Sequence, residues 1–72
     1  MVAEPLPAFP NVRVTVHSRN RWAVAAAIRQ ALRRAGTDPV EIDRFVAEAL
    51  AAETPEHLRE VCRRWVRLQI PN

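Results

Sequence analysis

The chain has 72 residues, enough for one domain, and its 49% hydrophobic and 26% charged residues are typical of a globular protein. Its single cysteine, Cys62, excludes an intramolecular disulfide, and no apolar run approaches the ~18 residues of a membrane span. The first residues lack a basic segment followed by an apolar one, so no signal peptide is expected. These features predict a soluble, cytoplasmic domain.

The formal net charge of +3 is unevenly distributed along the chain. All eleven basic residues are arginines, and lysine is absent. Residues 1–35 carry six arginines against one acid, residues 36–60 carry two arginines against seven acids, and residues 61–72 carry three arginines without an acid. Two explanations stay open. The basic and acidic parts compensate each other within the fold, or the basic part binds a phosphate backbone or an acidic protein.

The first seventeen residues divide into an arm and a strand. Residues 1–10 contain three prolines and no periodicity, which predicts an extended, mobile N-terminal arm. The alternative is an arm that lies across a groove of the core or of a partner through Leu6 and Phe9. In residues 11–17, three valines alternate with Arg13, Thr15 and His17. This period of two is typical of a half-buried strand that packs its valines inward and presents the polar side chains to solvent.

Three helices follow, each with its own start signal. Ser18 or Asn20 caps the first helix, which is rich in alanine and ends at Gly36, the only glycine of the chain. Asp38 and Thr54 cap the second and third helices, and each is followed by a proline at the first helical position. Apolar residues at helical spacing predict the buried stripes Val24, Ile28, Ala31, Leu32 and Ala35, then Ile42, Phe45, Val46, Ala49 and Leu50, then Leu58, Val61, Cys62 and Trp65.

The segment Val66–Ile70 again alternates apolar and polar residues and predicts a second strand. We therefore expect an α+β fold of order β-α-α-α-β, with three helices packed on a two-stranded antiparallel sheet formed by the terminal strands. Residues 1–10 would form the Pro-rich arm and residues 11–72 the single small domain. A lone two-stranded sheet is weak in water, so its support would come from the helices or from pairing across a homodimer.

Polar residues near the two strands form the candidate binding surface. The outward face of the sheet is predicted to carry Arg13, Thr15, His17, Arg67 and Gln69, and Arg19, Arg21, Arg63 and Arg64 lie close by in sequence. Guanidinium groups bind phosphates and carboxylates through paired hydrogen bonds, and a polar strand face can enter a DNA major groove. The alternative is an ordinary solvated strand face.

No catalytic or metal-binding pattern stands out. His17, His57 and Cys62 would need a further ligand to hold zinc, and their spacing matches no zinc motif. Cys62 lies on an apolar stripe, which predicts a buried thiol. The carboxylates fall mainly on helix exteriors and caps, where Glu56 and Glu60 are expected to pair with neighbouring arginines. We predict a protein that is not an enzyme and has no cofactor or metal.

The two tryptophans are expected in different environments. Trp65 follows the stripe of the third helix and is predicted to anchor the core. Trp22 lies partly off the stripe of the first helix. It therefore either packs over the sheet edge or lies in an interface, where tryptophan is enriched.

An ordered set of short motifs resembles a family of small, uncharacterised proteins of bacteria and their phages. The motifs are Asn20-Arg21-Trp22-Ala23, Ala31-Leu32-Arg33-Arg34-Ala35-Gly36, Glu41-Ile42, Phe45, Glu48-Ala49, Leu58, Cys62 and Trp65-Val66. They cover most of residues 12–68. The chain departs from the family at 51–57, where a Gly-Asp-Tyr-type turn is usual. The resemblance implies the fold order above and an association with mobile elements, but no chemistry.

A second resemblance is to ribbon-helix-helix DNA-binding proteins. The run Arg13-Val14-Thr15-Val16, followed by Ser18, a helix, Gly36 and a second helix, is similar to their layout. The resemblance implies a dimer whose strands read bases through Arg13, Thr15 and His17. The long first helix, the third helix and the final strand depart from that layout.

These observations predict a non-enzymatic protein that binds a macromolecule through its basic sheet face. A protein partner is favoured, and a phage- or mobile-element-derived modulator of a host protein complex fits the size and the lack of catalytic chemistry. Two alternatives stay open: a dimeric DNA-binding regulator of ribbon-helix-helix type, and a small structural or assembly subunit.

Overall fold

A computed structural model describes residues 6–69 of the chain. The elements are β1 (Phe9–Thr15), α1 (Arg21–Arg34), α2 (Pro39–Ala51), α3 (Pro55–Trp65) and β2 (Val66–Gln69), which confirms the predicted α+β class and element order. Residues 1–5 of the predicted arm and Ile70 of the predicted second strand lie outside the described residues. Within residues 6–69, no helix is long and apolar enough to cross a membrane.

The helix ends follow from the predicted capping residues. The side chains of Asn20, Asp38 and Thr54 accept hydrogen bonds from backbone N–H groups in the first turns of α1, α2 and α3. The choice between Ser18 and Asn20 is thereby decided for Asn20. After α1 the chain passes through Gly36, whose φ of +79° lies in the left-handed region that favours glycine.

The predicted antiparallel sheet is wrong, because β1 and β2 run parallel with Arg13 opposite Arg67. The physical reason is the path through the helices. Short connections place successive packed helices antiparallel, so α3 returns the chain to the beginning of β1. There the backbone N–H of Ala8 donates to the carbonyl of Arg64 over 2.8 Å. The strand β2 starts at that point and therefore follows β1 in the same direction.

The core lies between the three helices and one face of the sheet. Phe45, Ile28 and Leu32 are fully buried at its centre, as are Val61, Cys62 and Val66. The three valines of the predicted strand are also buried, which confirms their inward orientation. Of the residues on the predicted stripes, Ala35 alone is exposed. The one buried thiol is thus part of the hydrophobic core, as expected from its position on α3.

The two tryptophans take different positions. Trp65 is half-buried, stacks on Phe9 with ring centroids 5.9 Å apart and meets the edge of Phe45 at 5.8 Å. Its indole N–H donates to Glu48 over 2.7 Å. Because Phe9 belongs to β1 and to this cluster, the chain joins the fold two residues before the predicted strand begins. Trp22, by contrast, is 68% exposed.

Candidate functional site

The sheet has one covered and one open face. Val12, Val14 and Val16 pack into the core, whereas Arg13 and Thr15 between them are exposed. On β2, the exposed residues are Arg67 and Gln69. Parallel sheets usually have both faces covered by other elements. In the part of the chain that the structure describes, the helices cover only the valine face, so a polar, arginine-bearing face is left to solvent.

The open face brings two positive charges together. Arg13 and Arg67 are direct cross-strand partners, and like charges at such positions repel each other. The Nε of Arg67 donates to the carbonyl of Pro10 over 2.8 Å, which fixes this side chain along β1. The open face therefore carries two positively charged residues at paired positions of adjacent strands.

The acidic segment does not neutralise these arginines through ion pairs. Among residues 6–69, the one ion pair joins Arg44 to Glu41 within α2, at 3.6 Å. The expected pairs of Glu56 and Glu60 with neighbouring arginines are absent from the same part of the chain. Within residues 6–69, no ion pair therefore joins a basic segment of the chain to the acidic one.

An open groove of about 900 Å³ runs beside β2, and we call it the basic groove. Its charged lining consists of four arginines and one carboxylate: Arg13, Arg63, Arg64, Arg67 and Glu60. Leu6 and Pro7 contribute an apolar part, and Gln69 lies on β2 itself. The groove is therefore strongly cationic without being entirely polar.

The backbone of β2 adds hydrogen-bonding groups to the groove. The carbonyl of Gln69 accepts from the N–H of Val16 over 3.0 Å, so the peptide groups of Gln69 face β1. Because peptide groups alternate along a strand, those of Leu68 face the outer edge. Within residues 6–69, β2 pairs with β1 only. The outer edge of β2 is thus an unpaired strand edge bordered by arginines.

The nine residues predicted from the sequence do not form one site. Arg13, Arg63, Arg64, Arg67 and Gln69 meet at the basic groove, and Thr15 lies beside them, its hydroxyl 3.4 Å from the Gln69 side-chain oxygen. His17 and Arg19 lie beyond the end of β1, in a separate cavity. Arg21 has a structural contact, since its Nη1 donates to the carbonyl of Leu50 over 2.9 Å at the end of α2.

The separate cavity measures about 390 Å³ and lies at the carboxyl ends of the two parallel strands; we call it the carboxyl-end cavity. Its apolar lining comes from Val16, Val24, Pro55, Leu58, Cys62 and Leu68. Its polar lining comes from His17, Ser18, Arg19 and Arg59.

Cys62 is part of this lining but is not an activated nucleophile. Burial raises the pKa of its thiol to about 11, which a backbone hydrogen bond offsets only in part. The thiol is therefore almost entirely protonated at neutral pH. In the described part of the chain, no three or more His, Cys, Asp or Glu residues are placed to hold a metal ion.

Sequence reasoning missed several contributors to these surfaces, among them Arg59, Glu60 and Ser18. Glu60 and Arg59 lie in the acidic segment 36–60, outside the basic segments from which the candidate binding residues are drawn. Arg59 follows the buried Leu58 and lies three residues before the buried Cys62, and this helical spacing was the available signal that it borders the same surface. Leu6 is different, because contact of Leu6 and Phe9 with a groove is the alternative to a mobile arm, and Leu6 lines the basic groove.

Comparison of the chain with protein-family models, with curated proteins and with solved structures finds no match. The resemblances to the small phage and bacterial proteins and to ribbon-helix-helix proteins therefore stay predictions.

Proposed function

We propose that this protein is a non-enzymatic binding protein that holds an extended, acidic segment of a partner protein in the basic groove. One observation carries the proposal: the open face of the parallel sheet has Arg13 and Arg67 side by side, with no carboxylate paired to either within residues 6–69. Such a pair costs stability in the free protein. A partner that supplies carboxylates turns the repulsion into paired, charge-assisted hydrogen bonds.

The strand edge supports a protein partner. An extended segment can add to the outer edge of β2, and the peptide groups of Leu68 would pair with it as in other cases of strand addition. Side chains on one face of the added strand would then meet Arg63, Arg64 and Arg67. Apolar residues of the same segment would contact Leu6 and Pro7 at the groove. A phage- or mobile-element-derived modulator of a host protein complex is one protein of this kind, and that narrower proposal follows only from the resemblance.

DNA binding is the second candidate, favoured by the outward orientation of Arg13 and Thr15 on β1. The ribbon-helix-helix resemblance requires the equivalent strands of two protomers to pair. One edge of β1 is already taken by β2, so such a ribbon would have to form on the other edge. The exposed Trp22 is the observation that favours an assembly subunit.

The test is selection from a random peptide library displayed on phage, with the full-length protein as target. A variant carrying Arg13→Gln, Arg63→Gln and Arg64→Gln serves as counter-target, because all three arginines line the groove. We expect the enriched peptides to be acidic and to bind the wild-type protein but not the variant. Enrichment of neutral or basic peptides, or equal binding to both proteins, would contradict the proposal.

A labelled duplex DNA of unrelated sequence provides the competing arm. Its binding is measured by fluorescence anisotropy at low and near-physiological salt. Tight binding whose affinity falls steeply with salt, together with failure to select acidic peptides, would establish the DNA-binding alternative instead. A large, defined homo-oligomer without either ligand would favour the assembly subunit.

A further inference from the structure

The carboxyl-end cavity has the volume and the mixed apolar and polar lining of a small-molecule site. Its volume of about 390 Å³ lies within the range of roughly 300–1,000 Å³ that is usual for ligand pockets. Core residues such as Val16, Leu58 and Leu68 form an apolar interior. Polar groups are confined to one loop and one helix position, which gives the cavity an apolar part and a polar part.

The position of the cavity follows from the parallel sheet. Ligand sites of open sheets built from parallel strands lie outside the carboxyl ends of those strands, where the connecting loops leave a crevice. Here β1 and β2 end side by side, and the loop of residues 16–20 leaves β1 towards α1. An antiparallel sheet would have placed the two ends on opposite sides of the molecule.

The polar part of the cavity offers hydrogen-bond donors. Arg19 and Arg59 contribute two guanidinium groups, and neither forms an ion pair within residues 6–69. The Ser18 hydroxyl accepts from the N–H of Asn20 over 3.0 Å, which leaves its own proton free to donate. No carboxylate among the described residues lines the cavity.

We propose that the carboxyl-end cavity binds a small amphipathic anion, with its apolar tail among Val16, Leu58 and Leu68 and its anionic head on Arg19, Arg59 and Ser18. The head is a carboxylate or a phosphate, since both accept paired hydrogen bonds from guanidinium groups. The site is separate from the basic groove: the two share Leu68 but no arginine. It therefore does not depend on the proposed protein partner.

The first experiment is a two-dimensional ¹⁵N–¹H NMR titration of the full chain with octanoate, octyl phosphate and octylamine. These probes share one tail and differ in head group. The expected result is saturable binding of octanoate or octyl phosphate, with shifts concentrated in the residues that line the cavity, in segments 16–19, 24, 58–62 and 68. The probe that binds more tightly identifies the preferred head group. Equal or tighter binding of octylamine would overturn the proposal. So would shifts outside those segments, or no binding of either anion at about 1 mM.

Two variants test the head-group contacts. Arg59→Gln removes a guanidinium of the cavity, and we expect about tenfold weaker binding of the preferred anion. Arg33→Gln removes an exposed arginine from the last turn of α1, outside the cavity lining, and should leave the affinity unchanged. Equal affinities of the two variants would overturn the assignment of the head group. Arg13→Gln, in the basic groove, should not alter anion binding, so failure of one proposal is distinguishable from failure of the other.

Discussion

Replacing Arg13 by glutamine is expected to stabilise the free protein, because this change removes one of two like charges that face each other across the sheet. Arg13 lies directly opposite Arg67, and no carboxylate within residues 6–69 pairs with either. A neutral glutamine keeps much of the length and polarity of the side chain. It also leaves the hydrogen bond from Arg67 to Pro10 in place.

The size of the gain follows from cross-strand pair energies. Favourable cross-strand pairs contribute roughly 0.2–1 kcal/mol each, and like charges directly opposite each other are destabilising; we take a cost of the same order for Arg13 and Arg67. For a domain of this size, a gain of about 0.5 kcal/mol raises the melting temperature by roughly 2–4 °C. The gain should shrink in 1 M salt, where the screening length falls to about 3 Å.

Thermal and urea unfolding of the wild type, Arg13→Gln and Arg13→Lys measure this effect at low and at high salt. Arg13→Lys keeps the charge and is the matched control, so its stability should stay near that of the wild type. A double-mutant cycle with Arg67→Gln isolates the interaction between the two positions. Destabilisation by Arg13→Gln, or a gain that is insensitive to salt, would refute the idea that the pair is uncompensated.

Four further predictions concern stability and the reactivity of Cys62. Gly36→Ala should lower the free energy of unfolding, measured by urea denaturation, by about 1 kcal/mol, because φ at this position is +79°. A Cβ added there would meet nothing within 4 Å, so the loss comes from the backbone conformation alone. Glu48→Leu should cost about 1 kcal/mol by removing the acceptor of the Trp65 indole N–H, and an unchanged urea midpoint would contradict that contact. The native Cys62 thiol should react with iodoacetamide at pH 8 far more slowly than in urea, because its pKa is raised to about 11. Since the folded-state pKa lies above the unfolded value, the protonated thiol's contribution to stability is fully present below about pH 9 and is lost as the pH rises through 11.

The elements of this fold were predictable because their signals are local. Capping by Asn20, Asp38 and Thr54, and the helical spacing of the apolar residues, each act within a few positions of the chain. The direction of β2 was not predictable in the same way. An alternating strand pattern reads the same in both directions, and the deciding fact is that α3 ends beside the beginning of β1.

The candidate site was predictable in part for a related reason. Alternation along β1 places Arg13 and Thr15 on the open face, and the structure agrees. The strand itself ends at Thr15, and His17, although exposed, lies at the carboxyl-end cavity instead of on the open face. Only proximity in sequence places Arg21 with the other arginines. Its hydrogen bond to the end of α2 depends on how two helices pack, which no local pattern encodes.

The most direct test of the proposed function is the hydrogen exchange rate of the Leu68 amide, measured by NMR with and without an acidic peptide selected by the wild-type protein. The peptide groups of Leu68 face the outer edge of β2, beside the arginines of the basic groove. An added strand should bond to this edge and slow the exchange of Leu68 strongly, while amides on the outer face of α2 stay unchanged. Saturating peptide that leaves Leu68 exchange unaltered, and that shifts signals elsewhere on the molecule, would contradict the assignment of the groove as the binding site.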